Sequence, residues 1–135
     1  MSKILLIGQT ETLQQCAAIL RQQDYKVIIH KDVTDDICEL FHYKLRCIVW
    51  DVQVDESNRT AKYKILRKYH RYTPIVIIDD KMEKGVKPDS STLFMRKRCT
   101  AIEIVNEMSD FTSVASVLSD NDRLDMLEKE YGFTE

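Results

Sequence analysis

Carboxylates that end apolar runs are the residues of this chain best placed to do chemistry. Asp51 closes the run Leu45-Arg46-Cys47-Ile48-Val49-Trp50, and Asp79 and Asp80 close Ile75-Val76-Ile77-Ile78. A short continuous apolar run reads as a strand covered on both faces, and in an open α/β sheet ligands meet the chain beyond the carboxyl ends of such strands. Asp51 therefore stands at the mouth of any site. Asp55, Asp79 and Asp80 can converge on that mouth, where clustered oxygen ligands would suit a hard cation. A second chemistry lies in the loop Gly8-Gln9-Thr10-Glu11-Thr12, between an apolar run and a helical pattern, where a helix N-terminus can cradle a phosphate of FMN or a nucleotide. Only one glycine is present in that loop, and Glu11 would oppose the phosphate.

The elements that must position these residues alternate between strand and helix. Lys3 to Ile7 is a buried strand, and the following helical pattern places Leu13, Cys16, Ala17 and Leu20 on one face. Lys26 to His30 is a second strand. Thr34 can then cap a helix with Asp35 and Asp36 in its first turn and Val33, Ile37, Leu40 and Phe41 on its apolar face. The strand of Asp51 comes next. After the loop 52–58, a helix is expected with Ala61, Ile65, Tyr69 and Tyr72 inward and a basic face of Arg59, Lys62, Lys64, Arg67, Lys68 and Arg71. A solvated face is the ordinary meaning of such a run, and docking of an acidic protein or a nucleic acid is the functional one.

Thr73-Pro74 ends that helix before the strand of Asp79. Lys81 to Ser91 holds Gly85, Pro88 and few apolar residues, so at most a turn or two of helix is expected there. Thr92 to Arg96 makes a fifth, partly exposed strand. Thr100 can cap a last helix with Ala101, Ile104, Val105, Met108, Phe111 and Ala115 inward. The tail from Ser119 is acidic, with Leu124, Leu127 and Tyr131 at helical spacing.

Composition narrows the possibilities further. The 135 residues suit one domain able to bury its own core, and 20 basic against 22 acidic residues leave a net charge of −2, which by itself favours neither a nucleic-acid binder nor a strongly acidic partner. Cys16, Cys38, Cys47 and Cys99 form no CxxC pair and read as buried thiols of a reducing compartment, and His30, His42 and His70 have no ligand partner at zinc spacing. Ile4 to Ile7 is too short for a signal-peptide core or a membrane span, and a soluble, cytoplasmic protein is expected.

Five strand–helix units with an aspartate ending the third strand and a lysine, Lys97, just after the fifth resemble the response-regulator receiver family, over about residues 2 to 118. The resemblance implies a CheY-like, flavodoxin-like doubly wound α/β fold: a five-stranded parallel sheet in the order 2-1-3-4-5, here with a shortened or missing fourth helix. Residues 1–118 would form the receiver-like domain and residues 119–135 an acidic C-terminal helix or linker. In the family the third-strand aspartate accepts a phosphoryl group, which makes Asp51 the phosphoacceptor equivalent. Lys97, Phe94 and Asp79 occupy the positions of the switch lysine, the switch aromatic and the Ser or Thr that ends the fourth strand. Gly8 and Gln9 stand where the family has its Mg²⁺-binding acidic pair, and Arg98 where a proline is usual.

Mg²⁺ neutralises charge on a transferring phosphoryl group, so without the acidic pair the machinery is incomplete. A carboxylate at Asp79 would also face the phosphoryl oxygens. The reading that follows is a degenerate, phosphorylation-independent receiver: no enzyme, no bound metal and no cofactor, with Asp51 and Lys97 in a permanent ion pair. It would act as a regulatory or dimerisation module of a signalling or transcription-control protein, through protein contacts. Self-association is expected through a surface carrying Phe94, Arg96, Arg98 and Glu103, with a linked output domain possible, no membrane contact and no direct nucleic-acid binding. The alternatives are an atypical phosphoacceptor of a two-component system and a flavodoxin-like FMN or nucleotide binder.

Overall fold

The computed structural model describes residues 3–34, 44–81 and 90–112. Their elements are β1 (Lys3–Ile7), α1 (Glu11–Gln22), β2 (Lys26–His30), β3 (Leu45–Asp51), α2 (Arg59–Tyr69), β4 (Ile75–Ile78), β5 (Thr92–Met95) and α3, helical over 101–112. The five strands form one parallel sheet in the order β2-β1-β3-β4-β5. The expected helix after Thr34, most of the segment from Lys81 to Ser91, Ala115 and the acidic tail lie outside the described residues.

Alternation along each central strand divides the core into two layers. Leu5, Ile7, Ile48, Trp50, Ile75 and Ile77 point to one face of the sheet, where Tyr63 and Leu66 of α2 cover them. Ile4, Leu6, Cys47, Val49, Val76 and Ile78 point to the other, under α1 and α3. Most of these side chains are fully buried, and each contributes about 1.5 to 3 kcal/mol of burial free energy before the entropy of ordering is subtracted. α1 buries Leu13, Cys16, Ala17 and Leu20, as its spacing requires, and α3 buries Ala101, Ile104, Val105 and Met108. Thr100 caps α3 as expected, its hydroxyl accepting from the Glu103 amide at 3.2 Å and donating to the Glu103 carboxylate at 3.1 Å.

α2 is rotated from the expected orientation. Tyr63 and Leu66 are its buried residues and His70 is buried just past its end, whereas Ala61 is exposed, Tyr72 is 37% exposed, and Ile65 and Tyr69 are half-buried. Two stripes at helical spacing compete on this helix, and polar anchoring selects the one that looks less apolar. The buried Tyr63 hydroxyl pairs with Thr92 Oγ1 at 2.8 Å. Arg67 donates to the carbonyls of His70 (3.0 Å), Thr73 (2.7 Å) and Ser91 (2.6 Å) and to Thr92 Oγ1 (2.8 Å). One guanidinium thus ties the end of α2 to the starts of β4 and β5, and burying Tyr63 and Arg67 costs little once every polar atom has a partner.

His70 lies in the same cluster with its Nε2 buried and without a hydrogen-bond partner among the described residues. Burial, and next the positive charge of Arg67, lower its pKa, so it sits neutral. The thiols are inert for a related reason: burial pushes Cys16 up to about 11 and Cys47 up to about 12. Cys99 is half-buried and also raised, chiefly by burial. Cys38 and His42 lie outside the described residues. No helix among the described residues is long and apolar enough to cross a membrane.

Candidate functional site

The mouth of the sheet is built by the ends of β1, β3, β4 and β5. Gly8 continues β1 by one hydrogen bond, from its N–H to the His30 carbonyl at 2.8 Å, and turns the chain with φ +145°. A Cβ at this position would meet Asp51 Cβ, the Asp51 carbonyl oxygen and Leu13 Cδ2, each at 3.1 Å. Glycine is required there twice, by a backbone conformation that L side chains rarely adopt and by the closeness of β3. Gln9, next in line, is exposed.

Thr10 follows as the N-cap of α1, its Oγ1 accepting from the Leu13 amide at 3.3 Å. The same hydroxyl donates to Asp51 Oδ2 at 2.5 Å. The loop from Gly8 to Thr12 therefore turns its helix-capping hydroxyl to a protein carboxylate.

Lys97 approaches Asp51 from the opposite side. Its Nζ donates to Asp51 Oδ1 and to the Val52 carbonyl, so the expected ion pair is present. Asp51 has a side chain only 5% exposed and Lys97 one 22% exposed, so water screens the pair weakly. Each Asp51 oxygen thus has its own donor, Thr10 on one and Lys97 on the other. The backbone carries the arrangement: Val52 N–H bonds the Ile78 carbonyl at 3.1 Å, Asp79 N–H bonds the Met95 carbonyl at 3.0 Å, and Lys97 N–H bonds Asp80 Oδ1 at 3.1 Å.

Asp79, 3% exposed, has a separate cation, Arg59, whose Nε donates to Asp79 Oδ2 at 2.8 Å. The rest of the Arg59 guanidinium closes the loop after β3, donating to the Glu56 carbonyl and to those of Gln53 (3.1 Å) and Val54 (2.9 Å). Arg59 was assigned from sequence to a solvated basic face, and its place is instead inside the site. A usable signal existed: a cation in the first turn of a helix opposes the dipole, and α2 begins with Arg59 and has no acid in that turn. Lys62 is likewise engaged, with Asp32 at 2.7 Å and Glu56 at 2.5 Å, joining the loops after β2 and β3. Burial works against the charge on Lys62, but its bonds to Asp32 and Glu56 together outweigh that and raise its pKa. Lys62, and next the Asn58 amide, lower the pKa of Glu56.

The four-carboxylate cation site is not assembled. Asp51 and Asp79 are turned to different cations, Asp55 is exposed, and Asp80 is exposed and accepts from the Lys97 backbone. Among the described residues no three His, Cys, Asp or Glu side chains come together at metal-binding distance. Phe94 is half-buried against the layer under α2. Arg96, Arg98 and Glu103 are exposed, and with Phe94 they border a groove of about 670 Å³ between β5 and α3.

Comparison with solved structures identifies the fold. A CheY-like receiver domain from Methanospirillum hungatei superposes with a TM-score of 0.70 at 11% identity, covering 86% of this chain and 97% of that one. The fold is that of receiver domains. A receiver domain of a Pseudomonas aeruginosa sensor histidine kinase, with a magnesium ion coordinated in its active-site cleft, matches with a TM-score of 0.62 at 16% identity over 83% of this chain and 98% of that one. A protein described as an adenylate cyclase from Rhodopirellula baltica matches with a TM-score of 0.67 at 12% identity over 91% and 96%. At such identities the likeness establishes the receiver fold and nothing finer. No protein-family profile matches the sequence, and no curated protein is significantly similar to it.

The receiver fold implies Mg²⁺ beside the third-strand aspartate, and the residues present do not fit one. Gly8 and Gln9 bring no carboxylate, a side chain at position 8 would be strained at φ +145° and crowded against Asp51, and both Asp51 oxygens are already hydrogen-bonded.

Proposed function

We propose that this receiver-fold domain is a regulatory protein-interaction module that works without phosphoryl transfer, its Asp51 site held in a single state by the chain's own side chains. The observation that carries this reading is the occupation of both Asp51 oxygens, by Thr10 and Lys97, with Gly8 packed against the same residue. An in-line attack on a phosphoryl donor needs a free carboxylate oxygen and a metal to neutralise the developing charge; both Asp51 oxygens are engaged, and Gly8 and Gln9 stand where an acidic pair would hold the metal. The setting is a cytoplasmic signalling or transcription-control protein, and the module is not itself an enzyme. Its partners are other proteins.

Incubation with Mg²⁺ and acetyl phosphate, followed by intact-mass measurement, is expected to show no added phosphoryl group, and Mg²⁺ with beryllofluoride is expected to leave the melting temperature unchanged. An aspartyl phosphate that disappears in Asp51→Asn would establish the phosphoacceptor reading in its place.

The module is further proposed to pair with a second copy through β5, α3 and the loop between them. Phe94, Arg96, Arg98 and Glu103 combine an aromatic ring with both signs of charge, a composition suited to a twofold, self-complementary contact. Sedimentation equilibrium is expected to show a dimer that Phe94→Asp together with Arg98→Glu dissociates; a monomer at all accessible concentrations would refute the pairing.

A further inference from the structure

We infer that the outer stripe of α2 and the turn after it form a contact surface for single-stranded nucleic acid. The structure divides the six cations of this segment into two groups. Arg59, Lys62 and Arg67 turn inward and are consumed by Asp79, by Asp32 and Glu56, and by the backbone cluster at Ser91 and Thr92. Lys64, Lys68 and Arg71 are exposed. At 100° per residue Lys64 and Lys68 fall away from the side of Tyr63 and Leu66, and Arg71 follows in the turn after the helix.

The helix dipole accounts for a cation in the last turn, such as Lys68, but not for Lys64 a full turn earlier, and no acid of α2 lies among them. Two of the three cations sit over tyrosine rings, Lys68 at 5.6 Å from the centroid of Tyr69 and Arg71 at 5.8 Å from that of Tyr72. Tyr72 remains 37% exposed.

Charge complementarity calls for a polyanion, and the tyrosines choose which one. Lys64 and Lys68 are about 6 Å apart along the axis, so both can face the phosphates of one strand. The exposed part of the Tyr72 ring beside Arg71 offers an unpaired base a stacking contact, which an acidic peptide cannot use and a duplex keeps hidden. The stripe also lacks the apolar centre typical of protein interfaces: among α2's outward residues the large ones are Lys64 and Lys68. With three cations engaged the contact is weak and sequence-independent. This surface is separate from the Asp51 site and stands or falls without it.

The test is fluorescence anisotropy of a labelled oligothymidylate with the full chain. With about three phosphates neutralised, log K should fall with log salt at a slope of about −2, or about 15-fold between roughly 50 and 200 mM. The triple change Lys64→Gln, Lys68→Gln and Arg71→Gln should abolish this salt-dependent binding while the protein melts as before. Neutralising three exposed cations elsewhere, Arg21, Lys26 and Lys31, should leave it intact, and Tyr72→Ala should weaken binding without changing the salt slope. Binding that survives the triple change, that equals binding to polyglutamate, or that is absent at low salt would overturn the inference.

Discussion

Replacing Arg59 with alanine is expected to cost about 2 to 4 kcal/mol of stability, the largest effect of any single change to a charged residue in the described structure. Two losses add in this substitution. Asp79, with 3% of its side chain exposed, loses the cation at 2.8 Å that compensates its charge. The loop after β3 loses the guanidinium that gathers the carbonyls of Gln53, Val54 and Glu56. Lysine at this position should recover only part of the loss, because a single ammonium cannot reach Asp79 and three carbonyls with the geometry of the planar fork. Adding Asp79→Asn to Arg59→Ala should restore part of the stability, since the buried carboxylate charge that Arg59 balanced is then gone. Urea unfolding of these three variants beside the unaltered protein measures this directly. Equal losses in Arg59→Ala and the double variant would mean that Asp79 does not depend on Arg59.

The second large effect is expected at the Asp51–Lys97 pair. Lys97→Ala should destabilise by about 1 to 3 kcal/mol, because it strips Asp51 Oδ1 of its donor in a setting only 5% exposed. Asp51→Asn should cost less, since an amide can still accept from Thr10, while leaving the Lys97 ammonium to the Val52 carbonyl alone. In the double variant neither charge is stranded, so the combined loss should be smaller than the sum of the single ones, with a coupling on the order of 1 kcal/mol or more. Raising the salt concentration should reduce that coupling only slightly, because the pair is shielded from solvent. Strict additivity would mean that the two side chains do not meet in solution, and the locked-site reading of Asp51 would fall with it.

These two pairs are the physical ground for the proposed phosphorylation-independent reading of the site. A switching site must leave a carboxylate oxygen available and a lysine free to follow the incoming group. Here Thr10, Lys97 and Arg59 satisfy the buried charges from within the chain, at a site to which Gly8 brings no carboxylate. Docking of a partner remains compatible with that arrangement, since the groove between β5 and α3 does not depend on a change at Asp51.

Much of this was determined by the sequence alone, because periodicity reports burial. The continuous apolar runs ending at Ile7, Asp51 and Ile78 are strands covered on both faces, and the spacing of Leu13, Cys16, Ala17 and Leu20 sets the inner face of α1. The placement of Asp51 and Lys97 on one mouth followed from the order of elements, since parallel strands all end at the same edge of the sheet. What only the tertiary structure decided was the fate of the polar groups. Pattern cannot tell an inward arginine from a solvated one, and so Arg59 and Arg67 read as surface charge until their partners at Asp79, Ser91 and Thr92 came into view. The same blindness turned α2 onto the wrong stripe, because a tyrosine such as Tyr63 is buried at little cost only when a distant Thr92 receives its hydroxyl. That Thr10 reaches Asp51 across 41 residues of sequence likewise depends on how far α1 starts from the end of β3, a distance that is set by packing and leaves no mark on local sequence.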